Sequence, residues 1–292
     1  MQIRHLRNKE IDFELWDKCI SQSSNHLTYA YSWYLDAMSP GWEALVSENY
    51  EYIMPLPVKR KYGFKILSQP VLTQQLGIFS KNILAEEIVG RFIKHIPYLS
   101  YRLNLNENNF YKKSVSNPNS VLNLTESYED IFSGYSKNTQ RNIEKARKLN
   151  LRIKTELSPN DFFSFFHSVE RPFSLPQENK VKILIEKAIS KNAMTIYGVY
   201  SSNEKLAAAL CLLHSGNRLT YLLPISNGEG KSNFAMFFLI DSIIHENGGK
   251  SKILDFEGSR IQGIARFYKG FGAKNHPYFT IKRFRPNFRK TK

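Results

Sequence analysis

MTIYGVYSSNEKLAAALCLLHSGNRLTYLLPIS, residues 194–226, holds three apolar runs separated by SSNEK and SGN. Small polar turn residues between β-branched and aromatic runs predict three consecutive antiparallel strands. The polar stretch NGEGKSN follows, then FAMFFLIDSIIHEN, closed by Gly248 and Gly249, then KILDFEG. Apolar residues at helical spacing ahead of paired glycines predict a helix, and the short apolar run beyond it another strand. The whole is an α/β unit with a mixed sheet.

Working outward, the plan recurs in the first half. GWEALVSENYEYIMPLPVKR (41–60) has the pattern of a hairpin around SENYE. Helical segments precede each hairpin: DFELWDKCISQ and AYSWYLDAM in the first half, DFFSFFHSVE and ENKVKILIEKAISK in the second. After the first hairpin we expect a strand in QPVLTQQLGIFS, a helix in NILAEEIVGRFIKHI and a strand in YLSYRLNLN. Such self-similarity at long period predicts a duplicated α/β unit. The Asn- and Ser-rich stretch 106–120 reads as a loop near the junction, so the expected domains are 1–125 and 126–292.

The 292 residues carry a formal net charge of +15, and its location matters more than its size. Residues 134–154 hold seven Lys or Arg against Glu144, and residues 281–292 hold six against no acid. Concentrated charge predicts an anionic partner. Cys19 and Cys211 lack any CxxC or His-cluster context, which leaves zinc and disulfide scaffolds without support. We expect no metal and a cytoplasmic protein. The longest apolar runs, AAALCLL and FAMFFLI, are seven residues each, too short for a transmembrane segment.

SKNTQRNIEKARKLN (136–150) looks at first like a nucleic-acid recognition helix. At 100° per residue from Lys137, Lys148, Arg141 and Lys145 fall at 20°, 40° and 80°. Leu149, Ala146 and Ile143 fall at 120°, 180° and 240°. One face is basic and the other packs inward, with Ser136 as the N-cap. No helix-turn-helix context accompanies it, so Lys137, Arg141 and Lys145 are expected to bind phosphates on a substrate. A solvated charged face is the plainer alternative.

Two further clusters carry candidate chemistry. Gly-containing SNGEGKSN between strand and helix suits a phosphate, because a helix N-terminus presents unsatisfied N–H groups and positive potential. Asn227, Gly228, Gly230, Lys231, Ser232 and Asn233 are the candidate donor-binding residues. GKS does not complete a P-loop, since the first glycine of that motif would fall on Ile225. In LDFEGSRIQGIARFYKGFGA (254–273), Asp255 and Glu257 stand two apart on one strand face, and Tyr268 and Lys269 follow on a short helix. An acid, a phenol and an ammonium in one place could accept a proton, donate one and stabilise an oxyanion. Alternatively, Asp255 or Glu257 pairs with Arg260 or Arg266 and Tyr268 is a core residue.

The duplicated plan, SKNTQRNIEKARKLNL, the GEGKSNF loop, and LDFEGS with ARFYKGFGA together resemble the Fem-type (FemAB/FemX-like) branch of the GNAT acyltransferases. The resemblance implies tandem GNAT-like (acyl-CoA N-acyltransferase) domains, the first taking the acceptor and the second the donor. It implies transfer from acyl-CoA (acetyl-CoA) or aminoacyl-tRNA to an amine on a small molecule or cell-envelope precursor. Lys269 matches the lysine linked to the reacting carbonyl and bound phosphate; Lys137 and Arg141 match the basic helix. Tyr268 lies two residues before Gly270-Phe271 where CoA-dependent members place a tyrosine four before, and the glycines at 228 and 230 lack the full CoA-loop pattern. Residues 155–193 have room for about two ordinary helices, so the long helical arm of some Fem enzymes is absent. A non-enzymatic nucleic-acid-binding protein and an inactive acyltransferase-fold scaffold are the competing expectations.

Overall fold

The structure, a computed structural model, describes residues 1–61, 63–169, 178–259 and 261–284. It divides into two compact units, Met1–Asn117 with Pro277–Lys292, and Pro118–His276.

The first unit runs β1 (Ile3–Leu6), α1 (Phe13–Gln22), α2 (Ser32–Met38), β2 (Glu43–Ser47), β3 (Ile53–Leu56), β4 (Val58–Lys61), β5 (Phe64–Ser68), α3 (Glu86–Lys94), β6 (Tyr101–Leu105) and β7 (Val115–Asn117). The second runs β8 (Ser120–Asn123), α4 (Tyr128–Ser133), α5 (Lys137–Arg147), β9 (Arg152–Lys154), α6 (Pro159–Ser168), α7 (Glu178–Ser190), β10 (Met194–Tyr200), β11 (Leu206–Ser215), β12 (Arg218–Ser226), α8 (Gly228–Ser232), α9 (Ala235–Asn247), β13 (Ile253–Asp255), α10 (Gln262–Gly270) and β14 (Lys274–Asn275). The last strand, β15 (Tyr278–Arg283), returns to the first unit.

In the first unit a three-stranded sheet, β1-β2-β3, accompanies a five-stranded sheet, β4-β5-β6-β15-β7. The expected hairpin at 41–60 is the antiparallel β2–β3 pair. Asp12 caps α1 by accepting from the N–H groups of Glu14 and Leu15, and the helix buries Trp16 against Trp42 with ring centroids 4.7 Å apart. QPVLTQQLGIFS, read as a strand, is instead irregular, with isolated bridges at Leu76 and Phe79 only. Side-chain amides take over its backbone groups: Ile78 N–H donates to Asn109 at 2.6 Å, while Asn25 and Asn106 donate to the carbonyls of Ile78 and Leu76 at 2.8 and 3.0 Å. Buried backbone polar groups need partners, and here amides supply what a ladder would.

The second unit is one seven-stranded sheet, β14-β8-β13-β12-β11-β10-β9. The predicted meander at 194–226 is β10–β11–β12, antiparallel throughout. β12 and β13 are parallel and joined across α9, as β5 and β6 are joined across α3. The duplication therefore consists of one parallel pair and its crossover helix in each unit.

The unit boundaries differ from the expected cut near 126. β8 pairs with β13 and β14, so residues 118–125 belong to the second unit. β15 inserts between β6 and β7, so the C-terminal strand completes the first. Neither pairing leaves a signal in local spacing. Of the basic tail, residues 285–292 lie outside the described residues.

α5 is the basic helix. Ser136 Oγ accepts from the Thr139 N–H at 3.2 Å, and Thr139, Ile143 and Ala146 are buried while Lys137, Arg141 and Lys145 are exposed. Leu149, expected on the apolar side, is exposed because the helix stops at Arg147. Arg147 pairs at 2.8 Å with Asp241, buried on α9, which also accepts from Tyr128 at 3.0 Å. At its N-terminal end, α5 meets α10: Ser136 N–H donates to the Gly270 carbonyl at 2.9 Å, and a Cβ at Gly270 would overlap Thr139 Oγ1.

This contact makes a direct test. Gly270→Val should destabilise the protein by about 1–3 kcal/mol in urea unfolding, and Thr139→Ala in the same chain should recover part of that loss.

Candidate active site

The candidate donor end starts from a register shift. Cys211 faces Leu223 and Leu212 faces Tyr221, so Leu222 is an extra residue in β12. Such a bulge bends and twists its strand. On the other side of β12 the parallel ladder to β13 holds only Arg218–Thr220 against Ile253–Asp255, whereas the ladder to β11 continues to Ser226. The two parallel strands thus part at Asp255, beyond the carboxyl end of the shorter one, where α/β sheets open a ligand crevice.

Past Ser226 the chain was expected to be a loop, and it is a short helix, α8, followed by a break. Asn227 is its N-cap: its Oδ1 accepts from Gly230 N–H at 2.7 Å and its Nδ2 donates to the Leu206 carbonyl at 3.2 Å. A Cβ at Gly230 would overlap the Ala207 carbonyl, whereas Gly228 has open space. The glycine at 230 thus seats the turn on β11. Ser232 Oγ donates to the Gly228 carbonyl at 3.0 Å. Phe234, at φ 56°, is the left-handed joint into α9. Lys231 is exposed, Asn233 is half-buried, and Lys145 Nζ from α5 lies 5.6 Å from the centroid of the Phe234 ring. The structure therefore brings Lys145 to the turn that holds Lys231, while the side chains of Asn227 and Ser232 are engaged in holding that turn.

The candidate catalytic end is organised by a buried carboxylate. Asp255, 2% exposed, pairs with Arg218 through Oδ2. Its Oδ1 accepts from Asn119 Nδ2 at 3.1 Å and from the Glu257 N–H at 2.8 Å. The Asp255–Glu257 pair on one strand face does not form: the strand stops at Asp255, and Glu257 adopts φ 59°. A left-handed glutamate is held against an unfavourable backbone preference. Its carbonyl takes the Ser120 N–H at 3.0 Å, which fixes the other side of the residue. The alternative pairing of Asp255 with Arg266 is replaced by Arg218; Arg260 lies outside the described residues.

Tyr268 is 8% exposed and stacks on Phe256 at 4.9 Å between centroids, with the edge of Tyr221 at 5.9 Å. Burial, then the Glu257 and Asp255 carboxylates, push its hydroxyl above the ordinary tyrosine range. It is a protonated donor at neutral pH. The Glu257 carboxylate is thus within electrostatic range of the Tyr268 hydroxyl. Lys269 is exposed and one residue, about 100°, further round the helix, so it does not share the Tyr268 environment. The Ser136–Gly270 hydrogen bond instead brings the backbones of Lys137 and Lys269 to the same junction of α5 with α10.

Arg218, Asn119 and Tyr221 were missed in the sequence. Arg218 reads there as the first residue after a turn, and Asn119 as loop. Only the β8–β13–β12 register brings Arg218 and Asn119 to Asp255, and Tyr221 reaches Phe256 and Tyr268 from β12.

No family model matches the chain, and no curated protein matches it in sequence. Solved structures do match. FemX superposes with a TM-score of 0.69 at 9% identity, covering 96% of this chain and 97% of FemX. L-PGS from Bacillus licheniformis gives 0.56 at 9% identity, over 94% and 92%. A tandem GNAT protein from the clavulanic acid biosynthesis pathway gives 0.54 at 9% identity, over 96% and 98%. The fold is therefore that of tandem GNAT proteins. Within them it is similar to the Fem-type branch.

Removing one partner of the buried pair, as in Arg218→Met, leaves Asp255 uncompensated and should cost about 3–5 kcal/mol of stability, read by urea unfolding.

Proposed function

We propose that the protein is an N-acyltransferase. It moves an acyl or aminoacyl group from acyl-CoA or aminoacyl-tRNA to an amine of a small molecule or cell-envelope precursor. The observation that carries this reading is the parting of β12 and β13 at a β-bulge, with the Gly230-seated turn and Lys145 at one end and Glu257 with Tyr268 at the other. A fold shared with acyl and aminoacyl transferases supports it.

In this reading the donor extends between the parted strands. Gly228, Gly230, Lys231 and the turn's N–H groups meet its phosphates, with Asn227, Ser232 and Asn233 shaping the turn and Lys145, Arg141 and Lys137 adding charge. The acceptor amine attacks the donor carbonyl carbon, and the carbonyl π electrons move to oxygen. Backbone N–H groups stabilise that oxyanion, and Lys269, at the α5–α10 junction, adds positive charge beside Lys137. Glu257 takes the amine proton, directly or through water. As the tetrahedral intermediate collapses, the bond to sulfur or to the ribose oxygen breaks, and the Tyr268 hydroxyl protonates the leaving atom. The second unit serves the donor and the first the acceptor, in a cytoplasmic enzyme that needs no metal.

The test supplies labelled acetyl-CoA, and separately charged tRNA, with a mixture of amines. One donor should be consumed. Glu257→Gln should lower kcat about 10²–10⁴-fold, and Lys145→Ala should act mainly on donor KM. Turnover of neither donor, with Lys269→Ala and Glu257→Gln binding ligands like the unaltered protein, overturns the enzyme reading. Nucleic-acid affinity that falls steeply with salt, without any turnover, would point to a binding protein.

A further inference from the structure

The five-stranded sheet of the first unit has two unlike faces. Residues directly opposite one another share a face, so the register assigns each side chain. Leu67, Tyr101, Leu103 and Ile281 lie on the face that is packed into the core of this unit. On the reverse face, Lys61 stands opposite Phe64, Lys59 opposite Ile66, and the rung Ser68–Arg102–Lys282 crosses β5, β6 and β15. Lys59, Lys61, Arg102 and Lys282 are all exposed, and no carboxylate occupies these rungs.

The hairpin end of this face also carries apolar surface. Phe64 is 70% exposed at the end of the β4–β5 pair, with Lys61 directly across from it. Burying that ring would be favourable, yet the fold leaves it in water. Chain economy does not explain it, since Lys65, its neighbour on the opposite face, is tied to the buried Glu43 at 2.9 Å. That anchor holds the hairpin in place while leaving Phe64 turned away.

A protruding aromatic ring at a hairpin end, with a field of cations behind it, matches an anionic lipid surface: the ring enters the headgroup boundary and the cations meet the lipid phosphates. RNA would be served by a different arrangement, with aromatic side chains on the central strands for base stacking. Here the rung that crosses the central strands offers Arg102 and Lys282 beside Ser68. We propose that this sheet face, led by the β4–β5 hairpin, docks the protein peripherally on an anionic membrane surface, with Phe64 as the apolar wedge and Lys59, Lys61, Arg102 and Lys282 as the phosphate contacts. The proposal is independent of the donor-site reading and fails or stands apart from it.

The experiment is cosedimentation of the full chain with vesicles of phosphatidylcholine alone and of phosphatidylcholine with phosphatidylglycerol at about 7:3, near physiological salt. The protein should partition onto the mixed vesicles and not onto the neutral ones. Each lysine near such a surface contributes about fivefold in affinity, so Lys59→Ala with Lys61→Ala should weaken partitioning on the order of 30-fold. Phe64→Ser should weaken it severalfold at unchanged charge. These side chains are exposed, so the variants should keep the parental thermal unfolding midpoint, which confirms that they fold. Lys137→Ala with Arg141→Ala on α5 should leave partitioning unchanged. Failure to bind mixed vesicles overturns the proposal, as does wild-type binding by the hairpin variants or by Phe64→Ser. So does vesicle binding lost through α5 instead, or hairpin variants that lose affinity for unfractionated tRNA while vesicles bind neither form.

Discussion

The Asp255 carboxylate holds the candidate catalytic end of the second unit together. A charge that is almost wholly withdrawn from water must be met on all sides, and it is met from three directions. Arg218 at the start of β12, Asn119 just ahead of β8 and the Glu257 N–H all point at it. Because Arg218 opens β12 and Asn119 directly precedes β8, satisfying one carboxylate also ties β13 to the strands on both sides of it. The same interaction ends β13 and turns Glu257 into the left-handed region. The parting of β12 from β13 and the position of the candidate base are therefore two results of a single desolvated group.

The packing of α5 follows a similar logic on the helical side. A helix so rich in exposed cations has little apolar surface of its own, so its position depends on a few specific contacts. Arg147 and the buried Asp241 fasten one end, and close approach at Gly270 fastens the other. Burial, then the Asp241 carboxylate, pushes the Tyr128 hydroxyl up to about 12. It remains a donor to that carboxylate at neutral pH, so the cluster keeps its hydrogen bonds.

Much of this architecture was legible in the sequence because it rests on local signals. The meander at 194–226, the capped helix at Ser136 and the helix ended by Gly248 each announce themselves by periodicity and end residues. The strand expected at QPVLTQQLGIFS failed because Asn25, Asn106 and Asn109, distant in sequence, satisfy its backbone. Asp255 and Glu257 looked like a matched pair because alternation assumes that a strand continues, and only the Asp255 partners stop it. The Arg218 and Asn119 roles were not legible, since parallel register is a tertiary property that no spacing encodes. Nothing local sets Phe64 apart from ordinary hairpin residues, because only the sheet register assigns its face.

The return of β15 into the first sheet has a consequence for synthesis. A chain that emerges N-terminus first has β6 and β7 long before it has the strand that lies between them. Until everything from Pro118 to His276 has followed, both strands face a gap, and the amides of Asn104 and Asn117 wait for the Thr280 hydroxyl that joins them. Unpaired strand edges invite wrong partners. The first unit, although translated first, is thus the last to close, and the second can be complete while its predecessor is still open.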